Sequence, residues 1–251
     1  MGNPFDLTGK VAIVTGASAG LGQGMTLALA AAGADIAAVD VVSVEETGRQ
    51  VEALGRRFLP IKANLITIEP VQGIIDQTLD WGGHVDILFN NAGIIRRDEV
   101  TNFSEKDWDD VMNINIKSVF FMAQAAGRQM LKQGRGKIVN TASMLSFQGG
   151  IRVPSYTAAK SGVAGITRLL ACEWAGKGIN VNAIAPGYFA TSVTTALRED
   201  PVRNSAILDR IPAGRWGLPA DLGGAAVFLS SAASDYVHGI VLPIDGGWLV
   251  R

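Results

Sequence analysis

Val11-Ala-Ile-Val-Thr15-Gly16-Ala-Ser18-Ala-Gly20-Leu21-Gly22 is the stretch on which the reading of the fold turns. Its first four residues are apolar and largely β-branched, as a buried strand requires, and they run directly into a glycine-rich turn. Leu21 through Ala32 is rich in Ala, Leu and Met and stops at Gly33, the pattern of a helix closed by a C-terminal glycine. Strand, glycine turn and helix in that order aim free backbone N–H groups at a phosphate. Asp35 to Val39 supplies a second strand that ends at Asp40, 18 residues after Gly22. A carboxylate there can accept from both ribose hydroxyls of a dinucleotide and would repel a 2′-phosphate. The turn holds no basic residue and Val41 follows Asp40, so the expected cofactor is NAD rather than NADP.

Beyond Asp40 the chain alternates. Ser43–Leu54 reads as a helix, Phe58–Lys62 as a strand, Glu69–Trp81 as a helix and Val85–Phe89 as a strand. Such alternation predicts a parallel sheet. Pro60 cannot donate to a ladder, which assigns the third strand to an edge, where a doubly wound order 3-2-1-4 puts it. The third strand ends at Asn64 and the fourth at Asn90-Asn91-Ala92-Gly93, facing the same crevice as the glycine turn. With 251 residues, 48% of them hydrophobic and 18% charged, one domain spanning 1–251 with one large core is the expectation. A net charge of -1 offers no footprint for nucleic acid or an anionic membrane. Met1 to Thr8 lacks a leader pattern, and no apolar run approaches membrane-spanning length. Cys172 is the sole cysteine, which excludes an internal disulfide and suits a cytoplasmic protein. His84 and His238, the only histidines, have no metal-ligand spacing, and no metal is expected.

The reaction centre is read between Asn140 and Lys160. Tyr156 and Lys160 are four apart, so on a helix they share a face and the ammonium can sit near the phenol. A free phenol titrates near ~10, and a neighbouring cation moves it toward general acid/base work at neutral pH. Ser143 follows an apolar run, Ile138 to Thr141, that reads as a strand, and its hydroxyl could hold a substrate oxygen beside the phenol.

These motifs together resemble the short-chain dehydrogenase/reductase family. The resemblance rests on Thr15-Gly-x-x-x-Gly20-x-Gly22, Asn90-Asn91-Ala92-Gly93, Asn115 within Asn113-Ile-Asn-Ile116, Ser143, Tyr156-x-x-x-Lys160 and Pro186-Gly187 with Thr191. It implies an α/β fold, a single Rossmann-type doubly wound domain with a seven-stranded parallel sheet flanked by helices, assembled as a homotetramer. It also implies catalysis by Tyr156 as general acid/base, Lys160 as the residue that lowers the phenol's pKa and binds the nicotinamide ribose, Ser143 as oxygen anchor and Asn115 as holder of a relay water. The cofactor contacts expected are Gly16, Ser18, Gly20, Leu21, Gly22, Asp40, Asn64, Asn91, Ala92, Gly93, Tyr156, Lys160, Pro186, Gly187 and Thr191. Asn64 stands where the family commonly has Asp.

In the second half, Ser104-Glu-Lys-Asp107 reads as a helix N-cap opening one long helix to about Gln133. That helix and the one after Ser155 are apolar nearly all round, which suggests subunit contact. Asn180–Ile184 reads as the sixth strand, Asp221–Ser231 as a helix and Ile240–Ile244 as the last strand. The polar, helix-capable segment at about 191–216 suits a flap over the substrate. Arg96, Arg97, Gln148 and Arg152 surround the reaction centre in sequence, and a guanidinium binds a carboxylate bidentately, so a sugar acid is the expected small-molecule substrate. Segments 94–97, 104–112, 142–156 and 211–217 are similar to those of family members that act on deoxy keto sugar acids. Gluconate and 3-oxoacyl thioesters stay open as other substrate classes, the latter disfavoured by Asp40. A cofactor-binding regulator without catalysis would be expected to lack one of Ser143, Tyr156 or Lys160.

Overall fold

A computed structural model describes residues 2–251; Met1, which opens the segment read above for a leader, lies outside them. In chain order the first half gives β1 (Val11–Thr15), α1 (Gly20–Ala31), β2 (Asp35–Asp40), α2 (Glu45–Ala53), β3 (Phe58–Lys62), α3 (Pro70–Gly82) and β4 (Ile87–Asn90). The second half gives α4 (Glu105–Met112), α5 (Ser118–Gln133), β5 (Gly136–Thr141), α6 (Pro154–Trp174), β6 (Ile179–Pro186), α7 (Thr195–Glu199), α8 (Pro201–Arg210), α9 (Gly223–Ser230) and β7 (Val241–Ile244). The strands form one seven-stranded sheet in the order β3-β2-β1-β4-β5-β6-β7, parallel throughout. Pro60 sits on the edge strand β3, opposite Ala38, where its missing N–H costs no ladder bond on the open side. The strand order reverses between β1 and β4, which opens a crevice at their carboxyl ends.

Both faces of the sheet are covered, and successive residues of β1 show it. Ile13 packs into one core with Ile74 of α3, Met122 of α5 and Leu170 of α6. Ala12 and Val14 pack into the other with Leu29 of α1, Val51 of α2 and Leu229 of α9. A strand buried on both faces reads as continuous apolar sequence, which is why Val11–Val14 carries no polar alternation. A smaller cluster of Met144, Ile207, Ile211 and Trp248 lies at the carboxyl edge, with Leu197, Tyr188, Trp216 and Leu249 packed against it.

One expected element is altered. The helix read from Ser104 to Gln133 starts as predicted, with the Ser104 hydroxyl accepting the Asp107 N–H at 3.1 Å, and ends as predicted at Gln133. It is interrupted, however, by a π-helical turn over Asn113–Lys117, where the Ser118 N–H reaches back five residues to Asn113. The cause is long-range: the Asn115 side chain is drawn inward to Ile94, and the helix widens by one residue to allow it.

Candidate active site

The glycine turn is shaped by backbone that other residues could not adopt. Gly16 and Gly20 have φ of 68° and 57°, the left-handed region. A Cβ on Gly22 would lie 1.9 Å from the Gly16 carbonyl oxygen, so that position can carry no side chain. Thr15 and Asn91 stitch the turn to β4: the Thr15 hydroxyl accepts the N–H groups of Asn91 and Ala92, both at 3.0 Å, and Asn91 Nδ2 donates to the carbonyls of Thr15 and Gly16, both at 3.1 Å. No side chain caps the start of α1, which leaves its first N–H groups free to face an anion. Asp40 is held at the other end of the cradle. Its carboxylate accepts Ser18 N–H at 3.0 Å, Val41 N–H at 2.7 Å and Val42 N–H at 3.3 Å. Four lone-pair sites less three N–H donors leave room for about one ribose hydroxyl on that carboxylate. These residues fit a dinucleotide. Asn91 faces the turn's backbone, and Asn64 accepts the Ile66 N–H at 3.1 Å within its own turn. Thr191 lies over the same turn, 3.6 Å from where a Cβ on Gly20 would stand, and Gly187 packs against Asp245 just past the end of β6.

The second part of the site forms where β5 ends against α6. Ser143, Tyr156 and Lys160 are brought together there, and Ser143 and Lys160 are buried. Lys160 Nζ donates to the Thr141 carbonyl at 2.5 Å and lies 5.6 Å from the centre of the Tyr156 ring. The Ser146 hydroxyl donates to the Lys160 carbonyl at 2.7 Å, fixing the loop after Ser143 to α6. Desolvation raises the Tyr156 phenol above its usual value, against a lowering pull from the neighbouring Ser143 hydroxyl and the charge of Arg97. Burial lowers Lys160 to about 8. Lys160 is not among the groups that pull the phenol down in this structure: its ammonium donates to Thr141, and desolvation outweighs the pull of Ser143 and Arg97. The Asn115 Oδ1 accepts the Ile94 N–H and its Nδ2 donates to the Ile94 carbonyl, each at 2.8 Å, so its amide is tied to Ile94 with one donor and one lone pair left over.

The short chain dehydrogenase family profile matches residues 10–202 of the chain. The chain belongs to the short chain dehydrogenase family. It is 63% identical over 248 residues to the 2-dehydro-3-deoxy-D-gluconate 5-dehydrogenase of Escherichia coli (strain K12), covering 98% of each chain. It is 62% identical over 250 residues to the enzyme of that name from Dickeya dadantii (strain 3937), covering 99% of each. Among solved structures, a candidate 2-deoxy-D-gluconate 3-dehydrogenase from Agrobacterium tumefaciens with bound NADP superposes with a TM-score of 0.94 at 56% identity, covering all of both chains. The chain is thus a nicotinamide-dependent oxidoreductase acting on CH-OH groups.

This dehydrogenase does not hold its arginines as the sequence suggested. Arg96 turns to α4, 3.2 Å from Asp107 and 3.9 Å from Asp110, so it braces a helix. Arg152, at a φ of 64°, pairs with Glu99 at 3.2 Å. Gln148 accepts from Trp248 Nε1 at 3.2 Å and from Arg210 at 3.4 Å, linking the reaction-centre loop to the C-terminus and to α8. All three are occupied within the protein. Arg97 is the arginine whose charge is felt at the Tyr156 phenol, and it has no ion-pair partner among the described residues. Sequence reasoning also missed a buried amide chain behind the site. Asn90 Nδ2 donates to Asn140 Oδ1 and Asn140 Nδ2 to the Thr167 hydroxyl, each at 3.0 Å, joining β4, β5 and α6. A polar residue at the end of each apolar strand is its only trace in the sequence.

Proposed function

We propose that this dehydrogenase interconverts a secondary alcohol and a ketone on a deoxy keto sugar acid, with NAD, as a 2-dehydro-3-deoxy-D-gluconate 5-dehydrogenase. The observation that carries the reading is the Tyr156 phenol beside Ser143 and Lys160, with the charge of Arg97, which has no ion-pair partner among the described residues, acting on it: an acid/base group and an anion anchor for one substrate. The relatives at 63% and 62% identity, which bear that name, support it. Bound nicotinamide supplies the hydride acceptor or donor. Tyr156 moves the proton: its phenol protonates the developing alkoxide in reduction, and its phenolate takes the hydroxyl proton in oxidation. Ser143 would hold the same oxygen, and Lys160, with two N–H groups left beyond the one given to Thr141, would steady the phenolate and reach the nicotinamide ribose. Asn115, at its widened turn, would hold the relay water.

Gly16, Ser18, Gly20, Leu21, Gly22, Asp40, Asn64, Ala92, Gly93, Pro186, Gly187 and Thr191 would hold the dinucleotide. Asp40 supports NAD, because its fixed carboxylate stands where a 2′-phosphate would bring a second negative charge and Val41 and Val42 offer no cation. We read 1–251 as one domain, 191–216 as its substrate flap, and the working form as a cytoplasmic homotetramer. The deciding assay follows reduced-nicotinamide absorbance with NAD or NADP and a panel of hydroxy and keto acids, neutral polyols and acyl thioesters. Turnover of 2-dehydro-3-deoxy-D-gluconate with NAD is expected. Turnover confined to polyols or thioesters would remove the sugar-acid reading, and a preference for NADP would remove the role given to Asp40.

A further inference from the structure

Arg198 on α7 stands apart from the other arginines near the site. Its Nη2 donates to the Thr191 carbonyl at 3.2 Å and to the Thr195 hydroxyl at 3.3 Å. Its Nε is buried and has no hydrogen-bond partner among the described residues. Arg96, Arg152 and Arg215 each pair with a carboxylate. Around Arg198 no carboxylate oxygen comes within 4.0 Å among the described residues, although Glu199 and Asp200 follow it in the chain. Asp200 is committed to capping α8 through the N–H groups of Val202 and Arg203.

The position of this guanidinium matters as much as its unsatisfied Nε. Thr191, whose carbonyl it holds, lies over the glycine turn at Gly20. Leu197, its neighbour on α7, packs against the cluster containing Met144, the residue after Ser143. The segment that carries the guanidinium thus touches both the dinucleotide cradle, through Thr191, and the cluster next to the reaction centre, through Leu197. The base of the segment is tightly knotted, since the Thr194 hydroxyl donates to the Phe189 carbonyl and accepts the Thr191 N–H at 3.1 Å. Arginine stays charged at every working pH, and an N–H of a charged group removed from water without a partner is costly. An anionic oxygen would complete it with a charge-assisted hydrogen bond.

We infer that Arg198 is an anion-binding residue of the flap, whose guanidinium takes an anionic oxygen of the ternary complex, either the substrate carboxylate or the cofactor pyrophosphate. The inference rests on the reading of 191–216 as a flap over a sugar-acid site. Binding of the anion would tie the flap to what it covers, so that closure and recognition share one contact.

The test uses the full chain with Arg198→Gln, which keeps a donor for the Thr191 carbonyl and loses the charge, and Arg198→Lys, which keeps the charge. Three quantities are measured: the dissociation constant of NADH by titration, KM and kcat for 2-dehydro-3-deoxy-D-gluconate, and the same constants for its uncharged methyl ester. Melting temperature controls for folding. Arg198→Gln is expected to weaken one of the two anions by about tenfold or more, with partial recovery in Arg198→Lys. A rise in KM for the acid but not the ester assigns the carboxylate. A rise in the NADH dissociation constant assigns the pyrophosphate. If both constants stay within about twofold, or if Gln and Lys are equally impaired, Arg198 only braces the flap and the inference is overturned. Should the wild-type chain turn over the ester but not the acid, the sugar-acid reading falls, and NADH binding alone decides the role of Arg198.

Discussion

The Lys160 ammonium is buried against the Thr141 carbonyl with no carboxylate beside it among the described residues, and burial lowers its pKa from 10.5 to about 8. Below pH 8 both folded and unfolded chains carry the proton, and the folded one bears the cost of desolvating it. Between about 8 and 10.5 the folded chain releases the proton first, so stability rises with pH across that window. The drop corresponds to about 3 kcal/mol. Lys160→Met should therefore melt above the wild type at pH 7, with the gap narrowing by about pH 10, while turnover is lost; thermal unfolding at the two pH values checks both signs. Tyr156 moves the other way, raised by burial, so the acid form needed for reduction is present at neutral pH and oxidation should climb with pH. Arg97 pulls that phenol down, so Arg97→Ala should shift the rising, acid-side limb of the oxidative kcat/KM profile to higher pH; an unmoved limb would separate Arg97 from the phenol. Tyr156→Phe should cost about 10²–10⁴ in turnover and leave NADH binding by titration unchanged. Spacing in the sequence was enough to single out Ser143, Tyr156 and Lys160. It could not say which of the adjacent Arg96 and Arg97 faces the site, because that choice is made by Asp107 and Asp110, eleven and more residues away on α4.

At the level of elements, the glycine turn is the least tolerant piece of the cradle. Gly22→Ala would place a methyl 1.9 Å from the Gly16 carbonyl, and since backbone meets backbone neither side can yield without moving the turn. A loss of about 1–3 kcal/mol in stability is expected, with a larger relative loss of NADH affinity because the displaced N–H groups are those that face the phosphates. Melting temperature and an NADH titration measure the two separately; unchanged affinity would mean that the turn does not hold the cofactor. The same turn was legible because its requirements are local: β-branched strand, glycines, then a helix-forming run. The break between α4 and α5 was not. Residues 104–133 carry one apolar helical pattern, whereas the π-turn at Asn113–Lys117 follows from two hydrogen bonds between Asn115 and Ile94, 21 residues apart. The Asn90-Asn140-Thr167 chain was hidden for the same reason, since its members are polar residues that only the folded sheet brings into line.

On the scale of the whole molecule, the helices flanking the reaction centre keep apolar surface that the chain itself does not cover. α4 packs beside α6, and Trp108 on the first and Leu169 on the second are 40% and 50% exposed. Ile114 and Phe120 nearby are only half-buried. A lone exposed apolar side chain is ordinary, but large ones on adjoining helices form a surface suited to another copy of the same chain. If these helices meet their symmetry mates in a tetramer, the contact is isologous, and each substitution enters it twice. The double variant Trp108→Glu, Leu169→Glu would then bring like charges face to face in a desolvated contact, a penalty that a monomer's surface would not feel. Sedimentation should show the wild type at the mass of a tetramer and the variant as a smaller species with unchanged circular dichroism. Because α6 also carries Tyr156 and Lys160, loss of the assembly should lower kcat as well as mass. A wild type that sediments as a monomer would remove the tetramer and leave Trp108 and Leu169 as plain surface. A variant that stays tetrameric would move the interface to other faces of the molecule.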